Sequence, residues 1–131
     1  MGKCVIMKKG IILLDADKIS SRKLSKMLTS RGYPNITARS LPSLEKLIES
    51  NKYIAAVFDI DSVPVENRKI RELSLSFPGF CFLCTSKDRF HPELKDAICY
   101  HIYACMNKPI APEELFFWIK SIYEEQSIPD T

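Results

Sequence analysis

Residues 54–59 read Ile-Ala-Ala-Val-Phe-Asp, five apolar residues followed directly by an acid. The unbroken apolar run is typical of a strand that is covered on both faces, as in a parallel sheet. The acid then marks the point where the strand leaves the core. We therefore predict a buried parallel strand that ends at Asp59.

Four further apolar runs lie on either side of this strand and alternate with segments of helical period. Such alternation indicates a parallel sheet wrapped by helices. The predicted strands are residues 11–14, 35–38, 54–58, 80–84 and 102–106. A helix follows each of them, the fourth opening at Pro92 and the last at Pro112. We assign residues 1–9 to an N-terminal extension, 10–126 to one α/β domain and 127–131 to a C-terminal tail.

Composition narrows the class of protein. The chain has 131 residues, 46% of them apolar and 27% charged, as expected for one globular domain. Its longest apolar run is too short to span a bilayer, and residues 1–9 lack the apolar core of a secretion signal. The net charge is only +3, and the basic residues are interleaved with acidic ones rather than clustered. Nucleic acid is therefore not an expected partner. Five cysteines without framework spacing favour a reducing cytoplasm.

Polar residues stand at the predicted carboxyl ends of the strands, where open parallel sheets bind their ligands. They are Asp15, Asp17, Asp59, Asp61, Thr85, Ser86 and Lys108. Carboxylates supply a nucleophile and ligands for a hard cation such as Mg²⁺, while a hydroxyl and an ammonium contact phosphoryl oxygens. The set as a whole therefore indicates phosphoryl chemistry, although Asp17 by itself is expected to cap the first helix.

This ordered set resembles the receiver domain of bacterial response regulators over about residues 10–125. The resemblance rests on Asp15, Asp59, Thr85-Ser86 and Lys108-Pro109. It implies a flavodoxin-like doubly wound fold with strand order 2-1-3-4-5 and five helices. It also implies that Asp59 accepts a phosphoryl group from a histidine kinase or phosphotransfer protein, with Thr85 and Lys108 contacting the phosphoryl oxygens. Such a domain is a signalling module rather than an enzyme.

The same resemblance implies a metal site and a backbone feature. Mg²⁺ would be held by Asp15, Asp59 and the backbone carbonyl of Asp61, and the bond before Pro109 would be cis. The family usually has a second acid where this chain has Ala16. We therefore expect weak Mg²⁺ binding, with Asp17 or the Asp61 side chain as a compensating ligand.

The switch position also departs from the family pattern. Cys105 occupies the place of the usual aromatic residue, and Tyr103, two residues earlier, is predicted on the same strand face as a substitute. These departures leave open a degenerate receiver-like module that acts without phosphorylation.

A second family shares the central motif. Residues 57–63, Val-Phe-Asp-Ile-Asp-Ser-Val, resemble the nucleophile motif of haloacid-dehalogenase-type phosphatases. That resemblance implies nucleophilic attack by Asp59 and acid–base catalysis by Asp61. The nucleophile strand normally comes first in that family, whereas a complete βαβα unit precedes it here. A small phosphatase is therefore the minor alternative.

Two smaller patterns complete the sequence reading. The last helix is rich in aromatic residues, and we predict a partner face that includes Phe116, Phe117 and Tyr123. The receiver resemblance implies that a downstream protein or a second copy docks on the fourth helix, fifth strand and fifth helix. Cys81 and Cys84 form a C-x-x-C pattern inside a predicted strand, where residues three apart point to opposite faces. We expect them to pack in the core rather than to form a pair.

Overall fold

The computed structural model describes residues 9–87 and 102–127. The strands are β1 (Gly10–Leu14), β2 (Asn35–Ala38), β3 (Tyr53–Asp59), β4 (Cys81–Ser86) and β5 (Ala104–Asn107). The helices are α1 (Lys18–Ser30), α2 (Leu41–Glu49), α3 (Asn67–Ser76) and α4 (Pro112–Ser127). The helix predicted to open at Pro92 lies outside the described residues, so the last helix takes the label α4.

The five strands form one parallel sheet in the order β2-β1-β3-β4-β5, which confirms the predicted fold class and order. β3 lies at the centre, between β1 and β4, and is buried from Ile54 to Asp59. Helices cover both faces of β3, as predicted, and this explains why its residues are continuously apolar.

Alternating side chains divide the core between the two faces of the sheet. Ile12, Leu14 and Phe58 point towards α2 and α3, where they meet Leu44 and Ile70. Residues one position away along the strands point towards α1 and α4 and form the second cluster, with Ile11, Leu13, Val57, Leu28 and Leu115. Burying one such side chain stabilises the fold by about 1.5–3 kcal/mol before the entropy of ordering is counted.

Local signals in the sequence set the ends of α1. The Asp17 side chain accepts hydrogen bonds from the backbone of Ile19 and Ser20, which confirms the predicted cap. Gly32 follows the helix with φ of 80°, a conformation that favours glycine. Asp17, two residues after Asp15, therefore fixes where α1 begins, and Gly32 marks where it ends.

β5 begins two residues later than predicted, and this corrects the strand face expected of Tyr103. Tyr103 precedes the strand and packs edge-to-face on Trp118 of α4, with 5.9 Å between ring centroids. Cys105 instead is in register with Cys84, which belongs to the α2–α3 face. The two-residue alternation does not hold because Tyr103 lies outside the regular strand, so Tyr103 and Cys105 do not share a face.

No helix in the described part of the chain is long and apolar enough to cross a membrane.

Candidate functional site

Strand register brings the predicted residues together at the carboxyl edge of the sheet. Asp59 is the direct neighbour of Thr85, and Asp15 follows Leu14, which pairs with Phe58. Asp15, Asp59 and Thr85 are only 4%, 5% and 2% exposed. Together with Lys108 they line one cavity of about 260 Å³. The arrangement places a buried carboxylate, a hydroxyl and a cation around a single space.

Lys108 connects two carboxylates. Its Nζ is paired with Asp59 Oδ1 and lies 3.1 Å from Asp61 Oδ2. Burial alone would lower the pKa of Lys108, but the hydrogen bonds to Asp59 and Asp61 outweigh it and raise the pKa above 10.5. The ammonium is therefore charged at neutral pH and offsets the repulsion between the two acids. The peptide bond from Lys108 to Pro109 is cis, as predicted.

The Asp61 carboxylate is turned towards the end of β4. It accepts hydrogen bonds from the Lys87 amide at 2.9 Å and from Ser86 Oγ at 3.3 Å, besides pairing with Lys108. Burial raises the pKa of Asp61, yet the Lys87 amide and Lys108 outweigh it, so the pKa lies below the usual 3.8. Asp61 is therefore ionised at neutral pH and has no proton to donate.

Asp15 has a different environment, made of neutral donors. Its Oδ1 accepts hydrogen bonds from the Asp17 amide at 2.8 Å and from Ser62 Oγ at 3.1 Å, and its Oδ2 accepts one from Ser20 Oγ. Charge-assisted hydrogen bonds of this kind stabilise a carboxylate without a cation. Both serines were missed at the sequence level, although Ser62 lies within the motif around Asp59.

Ser62 and Arg39 join the site to its surroundings, and neither was predicted. Ser62 Oγ also accepts a hydrogen bond from the Ala16 amide at 3.0 Å and lies 3.5 Å from the Asp59 carbonyl oxygen. Arg39 Nη1 donates to the Asp15 carbonyl oxygen at 3.0 Å. The loop after β3 is thus tied to the loop after β1. Nothing in the sequence indicated that Arg39, a single arginine after β2, would contact Asp15.

Thr85 lines the same cavity as Asp59 and Lys108. Thr85 Oγ1 donates a long hydrogen bond to the Phe58 carbonyl oxygen, at 3.4 Å. The cavity is also lined by apolar side chains of β1, α1, β3 and the segment before α4: Leu13, Leu24, Met27, Val57 and Ile110. The Thr85 hydroxyl is therefore part of a cavity lined by both polar and apolar side chains.

The residues fit Mg²⁺ by ligand type. Asp15 and Asp59 are buried neighbours that offer the carboxylate oxygens this cation prefers. No group of three His, Cys, Asp or Glu side chains suited to a metal ion occurs within residues 9–87 and 102–127. The Asp17 side chain caps α1 and that of Asp61 pairs with Lys108, so both compensating carboxylates have other partners. The use of the Asp61 carbonyl stays a prediction.

The structure separates the three aromatic residues of the predicted partner face. Phe116 and Tyr123 both stack on Tyr33, with centroid distances of 6.0 and 5.4 Å, on the side of α4 that faces the end of α1. Phe117 is 61% exposed and contacts Trp118 at 5.0 Å. The Phe117 side chain is therefore accessible on the surface of α4, whereas Phe116 and Tyr123 pack within the domain.

Comparison with known proteins bears on the fold. No protein-family model matches the chain, and no curated protein matches it in sequence. The signal receiver domain of an HD domain-containing protein from Pseudomonas fluorescens Pf-5 superposes with a TM-score of 0.80 at 18% identity, covering 91% of this chain and 97% of that one. A CheY-like response regulator receiver domain protein from Methanospirillum hungatei JF-1 gives 0.78 at 22% identity, covering 90% and 95%.

A response regulator receiver domain protein from Clostridium thermocellum gives a TM-score of 0.75 at 18% identity and covers 91% of this chain and 97% of its own. At these identities the likeness concerns the fold. It extends over nearly the whole length of each of the three chains, and it agrees with the observed strand order. The protein therefore has the fold of a response regulator receiver domain.

Proposed function

We propose that the protein is a signalling receiver domain that accepts a phosphoryl group on Asp59 from a histidine kinase or a phosphotransfer protein. The observation that carries the proposal is the position of Asp59. Its carboxylate is buried at the end of β3, beside Thr85, with the Lys108 ammonium on one oxygen and the cavity before it. A nucleophile, a donor and a cation around one space suit phosphoryl transfer.

The reaction needs no proton from the protein. An oxygen of Asp59 attacks the phosphorus of a phosphohistidine whose other ring nitrogen carries a proton, the P–N bond breaks with its electron pair on the leaving nitrogen, and neutral histidine and an acyl phosphate result. Lys108 then pairs with a phosphoryl oxygen, and the Thr85 hydroxyl leaves the Phe58 carbonyl to donate to another. Mg²⁺ bound by Asp15 and Asp59 would offset further negative charge on the phosphoryl group.

Signalling through protein contacts belongs to the same proposal. Among the residues of the predicted partner face, Phe117 is the one with its side chain largely in solvent. It lies next to Trp118, which in turn contacts Tyr103 just before β5. A downstream protein or a second copy that docks here would contact the same strand from which Lys108 extends.

A receiver-like module that acts without phosphorylation is the second candidate. Ala16 in place of an acid and Cys105 in place of the switch aromatic favour it. The phosphatase alternative is less favoured, because a hydrolase would need Asp61 as an acid or base facing the phosphoryl group. The Asp61 carboxylate instead has three donors and a lowered pKa.

One experiment separates these candidates. The full chain is incubated with acetyl phosphate and Mg²⁺, and the intact mass and phosphate release are followed. We expect one phosphoryl group to accumulate on Asp59, and the isosteric Asp59→Asn variant to take up none. Continuous phosphate release that is lost in Asp61→Asn would establish the hydrolase. Lack of uptake by wild-type protein would favour the phosphorylation-independent module.

A further inference from the structure

Two cysteines meet across the edge of the sheet. Cys84 of β4 and Cys105 of β5 are direct register partners in a parallel pair, so their side chains leave the sheet on the same face. Neighbouring strands lie about 4.8 Å apart, within the range of about 4.4–6.8 Å between the Cα atoms of disulfide-bonded cysteines. The two thiols therefore lie next to each other on one face of the sheet. A covalent link would therefore need little movement of the backbone.

The two sulfurs differ in their access to solvent. Cys105 is exposed, whereas Cys84 is 1% exposed. Hydrogen bonding with the Cys84 thiol lowers the pKa of Cys105. The same bond, together with burial, raises the pKa of Cys84. Cys105 is thus the thiol that ionises first and can be reached from solution, and Cys84 stands beside it as a protonated partner.

Cys81 provides an internal contrast on the same strand. It is half-buried and packs on the α1–α4 face, whereas Cys84 belongs to the α2–α3 face, as the C-x-x-C spacing predicted. Burial raises the pKa of Cys81 to about 11, so its thiol stays protonated at neutral pH. The pair that matters is therefore formed across strands, and not along the C-x-x-C motif.

We propose that Cys84 and Cys105 form a reversible redox-modification site whose oxidant is hydrogen peroxide. The Cys105 thiolate attacks one peroxide oxygen, the O–O bond breaks, and the released hydroxide takes a proton to become water. The Cys84 thiol then attacks the sulfur of the Cys105 sulfenic acid, forming the disulfide and a second water. The two thiols lose two electrons in total, and the peroxide gains them.

The link would join β4 to β5 one residue before Thr85 and three before Lys108. The disulfide would therefore lie close in sequence to Thr85 and Lys108, two polar residues that line the cavity. The proposal concerns the cysteine chemistry alone, so it does not require Asp59 to be phosphorylated.

The test is oxidation of the full chain by a small excess of hydrogen peroxide at neutral pH, followed by alkylation of remaining thiols and peptide mapping by mass spectrometry. We expect one cross-linked peptide pair containing Cys84 and Cys105, a mass loss of two hydrogens, and full reversal by dithiothreitol. Cys81 should be recovered alkylated. A link between other cysteines, or oxidation of Cys105 without a link to Cys84, would overturn the proposal, and so would a lack of reaction.

Two variants give matched controls. In Cys84→Ala, oxidation should stop at the sulfenic acid, so that a 1,3-diketone probe labels Cys105 several-fold more than in wild-type protein. Cys105→Ser changes an exposed position and leaves the core intact, and it should abolish the cross-link while Cys84 stays reduced. Equal diketone labelling of wild-type and Cys84→Ala protein, or a Cys84 disulfide that survives in Cys105→Ser, would refute the assigned roles.

Discussion

The two halves of the acidic edge hold their carboxylates in different ways. On the β1 side, Asp15 is surrounded by the Ser20 and Ser62 hydroxyls and a backbone amide, all of them neutral. On the β3 side, Asp59 and Asp61 share the Lys108 ammonium. The β1 half is therefore stabilised by neutral hydrogen bonds, whereas the β3 half has an ionic partner besides the hydrogen bonds that Asp61 accepts.

The difference shows which half depends on which partner. Loss of one hydroxyl leaves Asp15 with other donors, whereas loss of Lys108 leaves two neighbouring acids without a counter-charge. The backbone amide of Ala16 donates a hydrogen bond to Ser62 Oγ. Because the Ala16 side chain is uncharged, the β1 side holds one negative charge fewer than it would with a second acid at this position. We therefore expect the loss of the Lys108 ammonium to disturb the β3 half more than the loss of one hydroxyl disturbs the β1 half.

Replacement of Lys108 by Ala should have the largest effect. Asp59 is buried, and removing its ionic partner is expected to lower the free energy of unfolding by about 2–3 kcal/mol at neutral pH. Urea denaturation measures the change. Lys87→Ala is the matched control, because only the backbone amide of this exposed lysine is seen to contact Asp61. Equal losses in the two variants would show that the β3 half does not depend on Lys108.

Replacement of Ala16 by Asp should convert the β1 half from a hydrogen-bonded to a cation-binding arrangement. A second carboxylate beside Asp15 adds a ligand of the type that Mg²⁺ prefers. We expect Mg²⁺ to bind about tenfold more tightly, which corresponds to about 1.4 kcal/mol, as measured by calorimetric titration. Ala16→Asn is the neutral control of similar size. Unchanged affinity in Ala16→Asp would mean that another residue already supplies the missing ligand.

The pH dependence of stability should show the smallest effect. Because the pKa of Asp61 is lowered in the folded state, its contribution is present above the unfolded value of 3.8 and is lost as the pH falls through the folded pKa. Lys108 has a raised pKa, so its contribution is present below 10.5 and is lost as the pH rises through the folded value.

Urea midpoints of wild-type and Asp61→Asn protein, measured at successive pH values, test the acidic side. The difference between the two proteins should be constant near neutral pH and should shrink below about pH 4. A difference that stays constant throughout the acidic range would show that Asp61 gains nothing from its ionised state.

The fold could be read from the sequence because its signal is local. The apolar run that ends at Asp59 and the alternation around it predicted the parallel sheet, and the receiver resemblance implied the strand order that the structure has. The main site residues followed, since parallel strands bring their carboxyl ends to one edge. The roles of Ser20, Ser62 and Arg39 could not be predicted, because they depend on side-chain contacts between loops.

Two other results required the exact register of β5. Tyr103 was placed on the wrong face because the strand begins one residue after it. The pairing of Cys84 with Cys105 depends on the same register, whereas the C-x-x-C pattern in the sequence involves Cys81 and Cys84. Short edge strands such as β5, with four residues, carry too little periodicity to fix such details.

The contact between the start of β1 and the end of α4 has a practical consequence. Tyr123, already seen to stack on Tyr33, donates its hydroxyl hydrogen bond to the Lys9 carbonyl oxygen. Lys9 precedes β1, so this contact lies at the amino edge of the parallel sheet, opposite the acidic edge. Protein coupled to a sensor surface through a residue near Lys9 would expose Asp59 and the cavity to the flowing solution, and phosphodonors and partner proteins could both reach the immobilised domain.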